Sequence, residues 1–180
     1  MAAPIVLISG ACGTGKTTVA RLLAERTSAI RAVHMHTDDF YGYIRKGYIP
    51  PWQAESNGQN QTVIQAIAAA AAQYASGGFT VYVDGVIGPW FLAPWRALAE
   101  RGLDVRYLVL RPDVKTTVYR VAKRSENVGV PLEEAGVRQM WCEFSTLGAY
   151  ESNAVDTTAL TVEETVRCLQ ALLENGAFRL

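Results

Sequence analysis

The chain has 180 residues, 49% of them apolar and 19% charged, with 17 Lys and Arg balanced by 17 Asp and Glu. At about 150 residues per domain this predicts one domain, residues 1–180, long enough to bury a core without a disulfide or metal scaffold. The balance excludes a disordered chain, a collagen and a strongly basic nucleic-acid binder. Cys12, Cys142 and Cys168 are odd in number and form no CxxC pair, as expected for reduced thiols in a cytoplasmic protein. No export or membrane segment is expected, because the apolar run at 5–8 is only strand length and the alanines at 66–72 are flanked by glutamines.

In chain order, Ile-Val-Leu-Ile at 5–8 reads as a strand buried on both faces. Residues 16–26 carry Val19, Leu22 and Leu23 at helical spacing. A second strand is predicted at 33–36. From 37 to 61 the chain is rich in Tyr, Gly, Pro, Asn and Gln, a long loop with room for a short helix, and such loops are commonly functional. A helix at 62–76 ends at Gly77-Gly78, and a third strand at 79–83 leads into Asp84-Gly85. Residues 90–101 read as helix, 105–110 as the fourth strand, and 113 to about 124 as a helix after Pro112. Residues 127–131 interrupt it and helical spacing resumes over 132–144. A weak strand near 154–156 and a helix over 162–175 complete the chain. Alternation of strand and helix predicts an α/β sandwich with a mostly parallel sheet.

Gly10-Ala11-Cys12-Gly13-Thr14-Gly15-Lys16-Thr17 satisfies G-x-x-x-x-G-K-[ST]. Average residue usage gives a chance match odds of roughly 1 in 200 in a chain this long. A buried strand before it and an amphipathic helix after it are the context such a loop requires. Its glycines let backbone N–H groups surround a phosphate at a helix N-terminus, with Gly10, Gly13, Thr14, Gly15 and Thr18 beside the nucleotide. Lys16 would reach the β- and γ-phosphates, and Thr17 would hold Mg²⁺. A nucleotide such as ATP is therefore the expected ligand.

Other segments narrow the chemistry. Asp38 and Asp39 follow the second strand, where a carboxylate can take the proton of an attacking hydroxyl; either could instead cap a short helix containing Phe40 and Tyr41. Asp84 closes the third strand as a carboxylate near Mg²⁺, or as a turn-forming Asp-Gly. Gly85 stands where many motor and AAA+ ATPases carry a water-activating Glu, and no Asn-Lys-x-Asp run reads guanine. Arg120, Lys123 and Arg124 share one helix face, either closing as a lid over the γ-phosphoryl group or simply solvated. His34 and His36 alternate on the second strand and read as sheet packing. Cys12 reads as a small neutral filler of the phosphate loop.

Together, residues 10–18, Asp38-Asp39-Phe40-Tyr41, Val83-Asp84-Gly85 and Arg120 through Arg124 resemble the P-loop small-molecule kinases of the adenylate-kinase-like fold. These include gluconate and shikimate kinases, chloramphenicol phosphotransferase and the nucleoside and riboside kinases. Bacterial P-loop proteins with a similar His-x-Asp-Asp block and Asp-Gly-Val turn are also similar. The resemblance implies a three-layer fold with a parallel five-stranded sheet ordered 2-3-1-4-5, helices on both faces and a short lid at about 120–138. It implies Asp38 as the hydroxyl-activating base, Arg124 as the lid arginine, Arg120 near the adenine, and Thr157-Thr158 beside the base.

The segment at 38–61 matches no specific kinase pattern, so its residues must speak for the acceptor. Tyr41, Tyr43, Tyr48 and Trp52, with Trp90 and Trp95 from beyond Asp84, either stack on a ring or pack the loop onto the sheet. Arg45 and Lys46 could receive one acid group, and Asn57, Gln59, Asn60 and Gln61 could bond hydroxyls. The expectation is an ATP- and Mg²⁺-dependent transferase acting on a small-molecule hydroxyl, as a monomer or homodimer, without nucleic acid or membrane partners. The alternative is a nucleotide-binding switch or ATPase module with no small-molecule acceptor.

Overall fold

The computed structural model describes residues 2–128 and 133–180, and the side chains of 124–128 lie outside that description. Five strands, β1 (Ile5–Ser9), β2 (Ala32–His36), β3 (Thr80–Asp84), β4 (Val105–Leu110) and β5 (Ala154–Val155), form one all-parallel sheet ordered β2-β3-β1-β4-β5. This is the expected topology.

Alternation along β1 divides the interior in two. Ile5 and Leu7 join a core with Ile64, Ile67, Trp95 and Phe144, under helices α3 (Asn57–Ser76) and α4 (Ala93–Glu100). Val6 and Ile8 join the opposite core with Leu23, Leu169 and Leu173, under α1 (Lys16–Arg26) and α7 (Val162–Glu174). β1 and β3 are buried throughout, so their runs are apolar without alternation. A capping box between Thr161 and Glu164 starts α7. A short helix, α2 (Thr37–Gly42), follows β2, and α5 (Val114–Val128) and α6 (Glu134–Glu143) follow β4.

Several boundaries differ from expectation. α3 begins at Asn57 rather than 62, because polar residues of its first turns bond to the loop before it: Gln59 takes both N–H and C=O of Ile49 (2.9 and 2.7 Å), and Asn60 donates to Pro51 O (2.8 Å). Tertiary bonds override the weak helix propensity of Asn and Gly. The helix expected over 90–101 splits into a 3₁₀ turn at Pro89–Phe91 and α4, with Pro94 in the first turn of α4 where a missing N–H is tolerated. α5 continues to Val128, past the expected break at 127; residues 129–132, the remainder of that break and the start of the next expected helix, lie outside the described residues. Backbone at 178–180 pairs with Val105 and Tyr107 of β4, a contact the sequence reading does not contain.

Candidate active site

The strands β1, β2 and β3 all end at one edge, the place where open α/β sheets collect their ligands. β1 runs into the glycine loop. Gly13 has a φ of +82°, and a Cβ there would collide with Val121 of α5, so only glycine both bends and lets this helix approach. Within the loop, Thr14 and Lys16 both donate to Ala11 O (3.0 and 3.1 Å), and both side chains are buried. Gly10 and Gly15 share the positive-φ backbone, while Thr17 and Thr18 open to solvent at the start of α1.

Asp84 lies one strand away. Its Cα pairs in register with Ile8 of β1 and His36 of β2, which puts a fully buried carboxylate between the two loops. Three donors reach it: Thr17 Oγ1 (2.6 Å) and His36 Nδ1 (3.0 Å) to Oδ2, and His34 Nε2 (2.6 Å) to Oδ1. Burial alone would raise its pKa; bonds from His34, His36 and Thr17 overcome that and hold it well below the usual carboxylate range. Gly85 follows because Thr37, at the start of α2, occupies the space a Cβ would need. A glutamate could not stand there without moving α2.

The histidines expected to pack the sheet instead bind this carboxylate. His36 also turns Nε2 to Asp38 Oδ2 (3.2 Å), so one imidazole links the carboxylate beside the phosphate loop to the carboxylate at the start of the 38–61 segment. Bonding to Asp38, and then to Asp84, raises His36 to about 10. The same bond to His36 lowers Asp38. The readable signal was the spacing: His34 and His36, two apart, share one strand face, beside a strand ending in Asp. Their link to Asp84 depends on the β2–β3 register, which no local pattern supplies.

Asp38 sits in the first turn of α2 with its side chain 76% exposed, facing a cavity of about 500 Å³. Tyr41, Gly42, Ile44, Tyr48, Pro51 and Trp52 complete the wall. Neither aspartate caps α2: His36 stands at its N-cap, no side-chain cap bond forms, and Asp38 lies within the first turn. Asp39 and Arg45 are exposed and do not line the cavity. Trp90 is half-exposed against Phe91 and Phe144, also off the cavity, and Trp95 is buried in the core. Gln59 and Asn60, read as candidates for hydroxyl recognition, bond to the loop: Asn60 holds Pro51 O, Ser56 Oγ (2.9 Å) and the Tyr41 hydroxyl (3.1 Å).

At the far side of the glycine loop, Arg120 of α5 donates to Thr157 O (3.2 Å), joining the two positions expected beside the nucleotide base. Thr157 is buried, and its Oγ1 is the hydroxyl left without a partner among the described residues. Arg124 belongs to the backbone of α5, but its side chain lies outside the described residues. Thr17 and Asp84 offer hard oxygen donors of the kind Mg²⁺ takes, and the carboxylate is held ionised, so the residues present fit that ion. Among the described residues no group of three or more His, Cys, Asp or Glu could hold a metal, and no helix is long and apolar enough to cross a membrane.

Solved structures share this fold. Mycobacterium tuberculosis APS kinase, solved with AMPPNP and APS, superposes with a TM-score of 0.70 at 16% identity, over 96% of this chain and 98% of its own. Sinorhizobium meliloti gluconokinase gives 0.64 at 17%, covering 96% and 94%. Acinetobacter baumannii shikimate kinase with shikimate gives 0.62 at 21%, covering 97% and 95%. No curated protein sequence matches the chain. The family model AAA_33, described as an AAA domain, matches residues 5–147, through the glycine loop, Asp38, Asp84 and α5; the chain belongs to that P-loop family.

Proposed function

We propose that the chain is an ATP- and Mg²⁺-dependent phosphotransferase that moves the γ-phosphoryl group to a hydroxyl of a small molecule. The observation that carries this reading is the Asp84–His36–Asp38 chain of contacts, which ties the phosphate loop to a carboxylate facing a cavity. A module that only binds nucleotide has no use for an aimed carboxylate over a ligand-sized space. Kinship in fold with kinases of shikimate, gluconate and APS is consistent with it.

Lys16 and the loop N–H groups would hold the β- and γ-phosphates. Thr17 and Asp84 would hold Mg²⁺, whose charge neutralises phosphate oxygens. Asp38, kept in place by His36, accepts the proton as the acceptor oxygen bonds to the γ-phosphorus. The bond from that phosphorus to the bridging oxygen breaks, and ADP leaves. A carboxylate of lowered pKa suits a loose transition state, in which the hydroxyl loses its proton late. Arg120, fixed to the Thr157 segment, would line the base side, with Arg124 as the lid cation.

ADP formation is the test, with Mg-ATP against pools of sugars, sugar acids, nucleosides and amphenicol- or aminoglycoside-like drugs. Wild type is expected to turn over with one pool, and Asp38→Asn to lose about 100-fold or more while still binding ATP. Stimulation that survives in Asp38→Asn removes it as base. ATP binding with no stimulation by any pool favours the nucleotide-binding module instead.

A further inference from the structure

On the phosphotransferase reading, the acceptor hydroxyl enters the cavity beside Asp38, and the cavity's remaining chemistry limits what else the acceptor carries. Its volume of about 500 Å³ lies within the roughly 300–1,000 Å³ of small-molecule sites. Among the described residues its wall holds one ionised side chain, Asp38, and no Lys or Arg. Arg45 and Lys46 belong to the same segment and are exposed, and neither lines the cavity. Lys16 and His36 act on Asp38 from the phosphate side, and neither lines the cavity.

Two amides and one hydroxyl of the segment are already engaged. The amides of Gln59 and Asn60 are bonded to Ile49, Pro51 and Ser56, and the Tyr41 hydroxyl donates to Asn60. Burial pushes Tyr41 up to about 12, so it stays a neutral phenol offering its ring. Tyr48 and Trp52 add ring faces at the rim, Trp52 with 81% of its surface exposed, and Ile44 and Pro51 add aliphatic wall. A carboxylate among aromatic faces attracts an ammonium twice, by charge and by the ring quadrupole. An acid placed there meets Asp38 with no Lys or Arg among the described wall residues to receive it, which disfavours the pair.

We infer that the acceptor is a ring-bearing alcohol carrying an amine and no acid group, in contrast to a sugar acid or a phosphorylated sugar. The ring stacks on Tyr41 and Trp52 while the amine and the hydroxyl face Asp38.

Three probes sharing a phenyl ring and a secondary hydroxyl test this without ATP: 2-amino-1-phenylethanol, 1-phenylethane-1,2-diol and mandelate. Binding is read from the indole N–H resonance of Trp52, identified by its loss in Trp52→Phe. The amino alcohol is expected to shift that resonance and to bind at least tenfold more tightly than mandelate, with the diol between them. Asp38→Asn, checked for retained ATP binding, is expected to erase the difference between amine and acid. Mandelate binding as well as the amine, no response to the amine, or a preference unchanged in Asp38→Asn overturns the inference. Because no phosphoryl transfer is measured, the outcome is separate from the kinase test: the expected order together with no ADP formation from any alcohol would sink the kinase reading and leave the ligand preference standing.

Discussion

The two halves of the candidate site are built by opposite means. The phosphate side, at the ends of β1 and β3, is made by close approach of backbone: Gly13 beneath Val121 and Gly85 beneath Thr37 leave no room for a methyl group. The proposed acceptor side, residues 38–60, has open space at Gly42, Gly47 and Gly58, and its shape comes from side-chain amides reaching back to loop backbone. A steric construction tolerates almost no change of residue, whereas a hydrogen-bonded one can be reshaped by exchanging amides. That difference suits the proposed transferase, whose donor end would be fixed and whose acceptor end would set specificity.

Adding a methyl group separates the halves most strongly. Gly85→Ala is expected to destabilise the protein by about 3 kcal/mol, since the new Cβ must displace Thr37 and with it the start of α2. Gly58→Ala, inside α3 with nothing near its Cβ, is expected to be neutral or to stabilise by about 0.5–1 kcal/mol. Urea unfolding of the two variants measures both. Equal losses would mean that the phosphate side is no more tightly packed than the acceptor side.

Removing an amide reverses the test. Asn60→Ala strips partners from Tyr41, Pro51 and Ser56 at a buried position, with an expected cost of about 2 kcal/mol. Its fingerprint is regional: amide hydrogen exchange should speed up around 41–56 and stay slow in the phosphate loop and β1. Uniform acceleration would show that the segment does not keep its shape through these bonds alone.

The same contrast explains what was legible in the sequence. The phosphate loop is contiguous, so eight letters carried its chemistry, and the apolar runs of β1 and β4 with the helix α1 followed from period and punctuation. Asp38 and Asp84 were readable as strand-end carboxylates. What was not readable depends on register or tertiary bonds. His34 and His36 reach Asp84 only because β2 pairs with β3 with His36 opposite Asp84. Gln59 and Asn60 looked like ligand donors because their real partners, Ile49 and Pro51, are backbone groups in a loop that carries no pattern. The role of Gly85 needed Thr37 in view.

His36 bonds to a carboxylate on each side, and its protonation provides the smallest test. Its pKa is near 10 in the folded, metal-free protein and about 6.5 when unfolded. A raised folded pKa contributes stability that is fully present below about pH 6.5 and is lost as pH rises toward 10. Asp38 and Asp84 are shifted down, so their contribution has the opposite sense, present above the ordinary carboxylate range and lost as pH falls through their lowered folded values. Wild type should therefore lose stability between pH 7 and 10 more steeply than His36→Gln, which keeps a hydrogen-bonding side chain but cannot carry the proton. The imidazole is partly open to solvent, which screens the pairs, so the difference is expected to be on the order of 1 kcal/mol. Other groups that titrate in this range are common to both proteins and cancel in the comparison. Parallel melting-temperature curves for the two would mean that His36 holds no extra proton in the folded protein, and that it joins the halves of the site by hydrogen-bond geometry rather than as a cation.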